Sequence, residues 1–150
     1  MRRNARLLPG EPAYVRKDGS TIPYEAMERD VDRMAHRLRA LACGPGDVAA
    51  VTADDLYRYL CVTMALARVG AAIGPPVLPP GMATLIIGGT PVAGTRAVTM
   101  DELAAAGGPV PDAPVPIHDD PQAIYAYCPS SGTTAGKPKF VPFTHELLRR

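Results

Sequence analysis

Between Tyr24 and Leu41 the apolar residues fall at Met27, Val31, Met34, Ala35, Leu38 and Leu41, and charges gather on the other positions. That spacing makes one face of an amphipathic helix, which has to bury its stripe against another layer. Gly44-Pro45-Gly46 stops the helix. The run that follows, "DVAAVTA" at 47–53, reads as a short buried strand. A second helix is predicted over about 55–69, capped by Asp54 and ended by Gly70, and apolar on most faces. "AAIGPPV" at 71–77 is a second strand. Strands alternating with helices imply an α/β fold: a parallel or mixed sheet with helices on its faces.

The flanks are read the same way. "YVRKDGSTIPY" at 14–24 is a hairpin turning at Asp18-Gly19. Pro23 suits the first turn of the helix it precedes. Arg2 and Arg3 are expected in a solvated tail. Residues 75–121 hold ten of the 17 prolines, so the short strands "TLIIGG" and "TRAVTM" and the short helix "MDELAAAG" are set in loops. "AIYAY" at 123–127 and "KFVPF" at 139–143 are strands around one more loop. "THELLRR" then begins a helix with Thr144 as N-cap.

Composition narrows the function. Apolar residues make up 47%, enough for a core, and 16 Lys+Arg against 15 Asp+Glu leave a net +1. A nucleic-acid partner would need a basic excess, and base stacking is poorly served by two Phe and no Trp. Cys43, Cys61 and Cys128 show neither zinc spacing nor an even disulfide framework, and are read as reduced thiols. No apolar stretch follows the N-terminal arginines and no run nears the ~20 residues of a membrane span. A soluble, cytoplasmic protein without a membrane partner is expected. His36 is expected to be exposed, His118 to sit in a turn with Asp119 and Asp120 rather than in a metal site, and His145 to be structural. No catalytic residue and no metal ligand is assigned.

The loop between the last two strands carries the chemistry. In "YCPSSGTTAGKPKF" at 127–140, residues 130–136 hold six hydroxyl or glycine residues out of seven, followed by Lys137 and Lys139. Glycine lets successive N–H groups converge on one anion, hydroxyls add donors and lysine adds charge. Phosphate suits that set. It is not a Walker loop: Gly132 and Gly136 enclose three residues rather than four, Pro138 replaces the metal-binding hydroxyl, and a strand follows instead of a helix. No G-x-G-x-x-G occurs, so a dinucleotide fold has no support.

"SSGTTAGKPKFVPFTH" resembles the phosphate loop of the adenylate-forming superfamily, which includes acyl-CoA synthetases, luciferases and adenylation domains of nonribosomal peptide synthetases. Ser131, Gly132, Thr133, Thr134, Gly136, Pro138, Lys139, Thr144 and His145 match its S-G-T-T-G-x-P-K and Thr-His steps. "DGSTIPYEAMERDVDRMAHRLRALACGPGDVAAV", "ALARVGAAIGPP" and "DDPQAIYAYCPSSGTT" are similar to the upstream segments. Ala135 is an extra residue in the loop, Phe140 stands where glycine is frequent, and the 78–100 stretch is short, as if one helix were missing.

The resemblance implies the N-terminal part of the large domain of such an enzyme, incomplete, with residues 1–150 as an N-terminal fragment and no C-terminal domain. It implies a ligase that forms acyl-AMP from ATP and a carboxylic acid, then a thioester with CoA or a carrier protein. Ser130, Ser131, Gly132, Thr133, Thr134, Ala135, Gly136, Lys137 and Lys139 are the implied phosphate-binding set. Mg²⁺ would be held by a carboxylate outside the chain. A second polypeptide could supply the missing part; a non-catalytic phosphate-binding remnant and a truncated interaction module are the alternatives.

Overall fold

The computed structural model describes residues 1–105, 113–130 and 139–147. Helix α1 (Arg2–Leu7) opens the chain, followed by the hairpin β1 (Pro12–Val15) and β2 (Thr21–Pro23). Gly19 takes φ +82° in the turn, and Asp18 Oδ1 accepts from the Ser20 N–H at 2.9 Å, as the Asp-Gly dipeptide predicts. Pro23 is the N-cap of α2 (Tyr24–Ala40), one position before the expected first turn. Met27, Val31, Met34, Ala35 and Leu38 form its buried face.

Helix α2 ends before the Gly-Pro-Gly stop. Ala42 adopts φ +54°, and the Cys43 N–H donates back to the Leu38 carbonyl at 2.9 Å, a Schellman-type closure built on alanine rather than glycine. Strand β3 (Val48–Val51) leads to α3 (Leu56–Val69). Its cap is Asp55, not Asp54: only Asp55 lies three residues before the Arg58 N–H that its side chain accepts, at 2.8 Å. Gly70, at φ +85°, ends α3 as expected.

Strands β4 (Ala72–Gly74), β5 (Leu85–Ile87) and β6 (Arg96–Val98), helix α4 (Met100–Ala104), and strands β7 (Ile124–Pro129) and β8 (Phe140–Thr144) complete the order. Six strands form one mixed sheet in the order β6-β5-β3-β4-β7-β8, parallel except for the antiparallel β7–β8 pair. Strand β8 runs through Thr144, and the Leu147 N–H donates to Thr144 Oγ1 at 3.3 Å. The bond expected of a Thr144 cap is present; residues 148–150 of the expected helix lie outside the described residues.

The crossovers explain how the sheet is covered. From β3 the chain passes through α3 to β4 on one side; from β4 it returns past β3 to β5 on the other. Right-handed crossovers in opposite directions lie on opposite faces. The α2–α3 layer packs against Ala49, Val51, Ile73, Leu85 and Ile87, with Leu103 and Val115 completing the core. Their alternates Ala50 and Ile86 face the other way, and there the β4–β5 crossover is the proline-rich stretch 75–84 with no helix. The shortness of 78–100 thus has a structural counterpart: a cavity of about 700 Å³ over Ala50 and Ile86, roofed by residues such as Pro76, Leu78 and Pro79.

Two further expectations are corrected. Arg2 is not a solvated tail residue: it lies in α1, with Nε 3.1 Å from Glu28 Oε1 and Nη2 donating to the Val115 carbonyl at 2.8 Å. His36 is half-buried, its Nε2 3.1 Å from the Ala113 carbonyl and 3.5 Å from Asp32 Oδ2. In both cases a partner distant in sequence draws a polar side chain inward.

Candidate functional site

The β7–β8 hairpin carries the hydroxyl-rich loop. Cys128 pairs with Val141 and Pro129 with Phe140, and the Ser130 N–H donates to the Lys139 carbonyl at 2.7 Å. That bond closes the neck from which the loop springs. Because β7 runs parallel to β4 through Ile73 and Ala126, the neck emerges at the carboxyl end of the parallel strands, where open α/β sheets bind ligands. Ser130 is half-buried and Lys139 exposed. Of the nine expected phosphate-binding residues, these two are placed by the structure. Ser131, Gly132, Thr133, Thr134, Ala135, Gly136 and Lys137 lie outside the described residues.

The hairpin base is braced. The His145 N–H donates to the Ala123 carbonyl at 3.1 Å and the Glu146 N–H to that of Pro121 at 2.9 Å. Gln122 Nε2 donates to Glu146 Oε2 at 2.6 Å. The His145 ring meets Tyr125 edge-on, with centroids 5.4 Å apart, in keeping with a structural role. These bonds reference the loop to the sheet through backbone, which a sequence motif does not disclose.

The other singled-out groups have local roles. The His118 ring packs over Gly70, where a Cβ would come within 2.8 Å of it, and Asp120 Oδ1 accepts from the Gln122 N–H at 2.9 Å, an Asx turn. Among the described residues no group of three or more His, Cys, Asp or Glu could hold a metal ion. All three cysteines are free, and only Cys128 is exposed. Burial pushes the Cys43 thiol up to about 11 and that of Cys61 up to about 12, so neither is a nucleophile at neutral pH. No helix among the described residues is long and apolar enough to cross a membrane.

One cluster escaped the sequence pattern. Arg68 is 5% exposed and reaches Asp32 Oδ1 at 2.9 Å and Glu28 Oε1 and Oε2 at 2.8 and 2.9 Å. Asp32 Oδ1 also accepts from the Val115 N–H at 2.9 Å, and the His118 N–H donates to the Arg68 carbonyl at 2.9 Å. The network ties the stretch leading into β7 to α2 and α3. Its one sequence signal is Glu28 and Asp32 at i, i+4 on the same helix.

Comparison with known proteins gives the context of this site. The family described as "AMP-binding enzyme" matches residues 1–80. A feruloyl-CoA synthase from an Amycolatopsis species is 32% identical over 166 aligned positions, covering 97% of this chain and 33% of the relative. The o-succinylbenzoate CoA synthetase of Bacillus subtilis, in complex with an acyl-adenylate intermediate, matches with a TM-score of 0.74 at 20% identity, over 95% of this chain and 41% of that one. An artificially fused adenylation–PCP di-domain from Klebsiella oxytoca matches with a TM-score of 0.80 at 18% identity, over 96% and 31%. The chain therefore spans about a third of the curated synthase and less than half of these solved chains. Its α/β fold, a mixed sheet with flanking helices, is that of the N-terminal part of the adenylate-forming enzyme domain, and the chain belongs to the AMP-binding enzyme family.

Proposed function

We propose that the chain is the N-terminal portion of a carboxylate-activating ligase and supplies its grip on the β- and γ-phosphates of ATP. The observation that carries this is the closed neck of the β7–β8 hairpin, Ser130 N–H to Lys139 carbonyl at 2.7 Å, at the carboxyl end of a parallel sheet and bearing the S-G-T-T motif. Ser131, Thr133 and Thr134 would donate hydroxyls, Gly132 and Gly136 backbone N–H groups, and Lys139 positive charge. ATP supplies the activated phosphorus that a carboxylate attacks, and pyrophosphate leaves. Donors fixed around the departing pyrophosphate favour the transition state over the ground state.

The family membership supports this reading, and the similarity to a feruloyl-CoA synthase supports a carboxylic acid and CoA as co-substrates. A carrier protein is the other candidate thiol donor, in line with the adenylation–PCP fusion that shares the fold. The nucleoside contacts, acid pocket, Mg²⁺ ligand and C-terminal domain would come from polypeptide beyond these residues, in the same chain or in a second one.

Titration calorimetry with pyrophosphate and ATP tests the proposal, followed by acid-dependent ATP–pyrophosphate exchange with and without the complementary part. Pyrophosphate binding by the chain, with exchange only after complementation, is the expected result. Binding with no exchange in any combination would leave a phosphate-binding remnant. No binding in either state would defeat the assignment of the loop.

A further inference from the structure

The cavity over Ala50 and Ile86 holds about 700 Å³, within the ~300–1,000 Å³ of small-molecule sites. Its place in the sheet is particular. After Val51 the chain leaves β3 for α3, on the face where Ala49 and Val51 pack. After Ile87 it leaves the neighbouring strand β5 for β6, in the opposite direction along the sheet from the β3–β4 step. Right-handed connections running in opposite directions depart to opposite faces, so a crevice opens between the carboxyl ends of β3 and β5. Such switch points are where open α/β sheets take their ligands. Thr52 and Gly88, the residues just past the two strands, both line the cavity.

Backbone contacts fix its shape. Gly88 sits at φ +69°, and a Cβ there would fall 2.2 Å from the Thr52 carbonyl oxygen, so glycine alone lets the two strand exits come this close. The Thr52 N–H donates to the Ile87 carbonyl at 2.9 Å. Ala50 and Ile86 form the floor, and the walls are the two connections on this face, within 76–83 and 88–95. Leu78 rests on the sheet itself: a Cβ at Gly74 would come within 2.7 Å of its Cδ1.

The lining decides the chemistry. Among the described residues that line the cavity, none is ionisable. A charged ligand group would lose its water there without gaining a partner. Ala50, Leu78, Ile86 and Val92 offer apolar contact, and the hydroxyls of Thr52, Thr90 and Thr95 can each donate and accept. We propose that this cavity binds an uncharged small molecule with an apolar body and a hydroxyl or carbonyl group that meets the threonines. The site is separate from the phosphate loop, since neither Ser130 nor Lys139 lines it.

The test is a fluorescence titration of the full 150-residue chain with Nile red, a neutral apolar dye, followed by displacement with octanol and with octanoate. The dye should bind saturably at one per chain. Octanol should displace it, and octanoate, which has the same chain length and a charge, should do so at least about tenfold less well. Ala50→Leu fills the cavity from the floor and should weaken dye binding by about tenfold. Ala83→Leu fills it from a half-buried wall position outside the strands, which tests the same point without a change inside β3; urea midpoints report that each variant folds. Thr52→Val with Thr95→Val should weaken octanol by roughly two- to tenfold, as for the loss of a neutral hydrogen bond, and leave Nile red nearly unchanged. Pyrophosphate should displace neither. Non-saturating dye uptake, equal displacement by octanoate, or undiminished binding in a folded Ala83→Leu would overturn the proposal. So would dye binding that weakens as the chain dimerises, which would assign the cavity to a second copy.

Discussion

The Ser130 N–H and the Lys139 carbonyl, 2.7 Å apart, are the cross-strand bond of the β7–β8 hairpin nearest the loop among the described residues. Ser130 and Lys139, which flank the loop, are thereby held by sheet geometry. Ser130→Pro removes this donor, whereas Ser130→Ala removes only the hydroxyl. Pyrophosphate affinity, read by calorimetry, should fall more in the proline variant, by roughly tenfold for a bond worth ~1 kcal/mol or somewhat more.

The loop hydroxyls themselves should matter in one half-reaction. In the assembled ligase, replacing Thr133 and Thr134 together by alanine should slow adenylation by roughly ten- to a thousandfold, at ~1–2 kcal/mol per donor. Thioester formation from preformed acyl-AMP should change far less, since no pyrophosphate is present. Equal loss in both half-reactions would instead signal a folding defect.

Arg68 should be a stability residue. It is 5% exposed and is held by Glu28 and Asp32. Arg68→Met leaves two poorly solvated carboxylates, and breaking a buried pair costs ~3–5 kcal/mol. Arg2, 3.1 Å from Glu28 and 3.5 Å from Asp32, remains to neutralise part of that charge, so the lower end, about 3 kcal/mol, is expected. Urea denaturation should show it, and adding Glu28→Gln and Asp32→Asn to Arg68→Met should recover part of the loss.

Asp47 should give the fold an acid limb. Burial pushes its carboxyl up, but hydrogen bonds from Thr84 Oγ1 and the Gly44 N–H, with the Arg96 guanidinium, together hold it below the usual value of 3.8. A folded pKa below the unfolded one contributes stability that is fully present above the unfolded value and lost as pH falls through the folded one. Denaturation midpoints from about pH 6 to about pH 3 should therefore decline less steeply in Asp47→Asn than in the unaltered chain.

Pro142 should keep the outer sheet edge quiet. Since Ser130 and Lys139 form a hydrogen-bonded pair, alternation makes Tyr127 and Pro142 a non-hydrogen-bonded one. The nitrogen of residue 142 then points away from β7, toward the free edge of β8, where proline offers no donor. Pro142→Val restores the donor and adds β propensity. Light scattering should show more self-association in this variant at equal concentration; an unchanged mass would remove that role from Pro142.

What could be read from the chain alone was local. Met27 to Leu38 announced the buried face of α2 because a helix brings residues three and four apart onto one side. Asp18-Gly19 and Gly70 marked a turn and a helix end because few residues tolerate positive φ. The motif around Ser131 to Lys139 carried the resemblance to the family through residue types packed into nine positions. Only the tertiary structure decided the rest. Arg68 meets its partners 36 and 40 residues away, and Arg2 finds the Val115 carbonyl 113 residues on, so neither leaves a periodic trace, and a helix holding Arg2 looked like a tail. The strand order, with β3 between β4 and β5, puts the two crossovers on opposite faces through their handedness, and the second of them is too rich in proline to be a helix. Local pattern records what a residue's near neighbours require, whereas the partner of a buried charge is fixed only when distant segments are brought together.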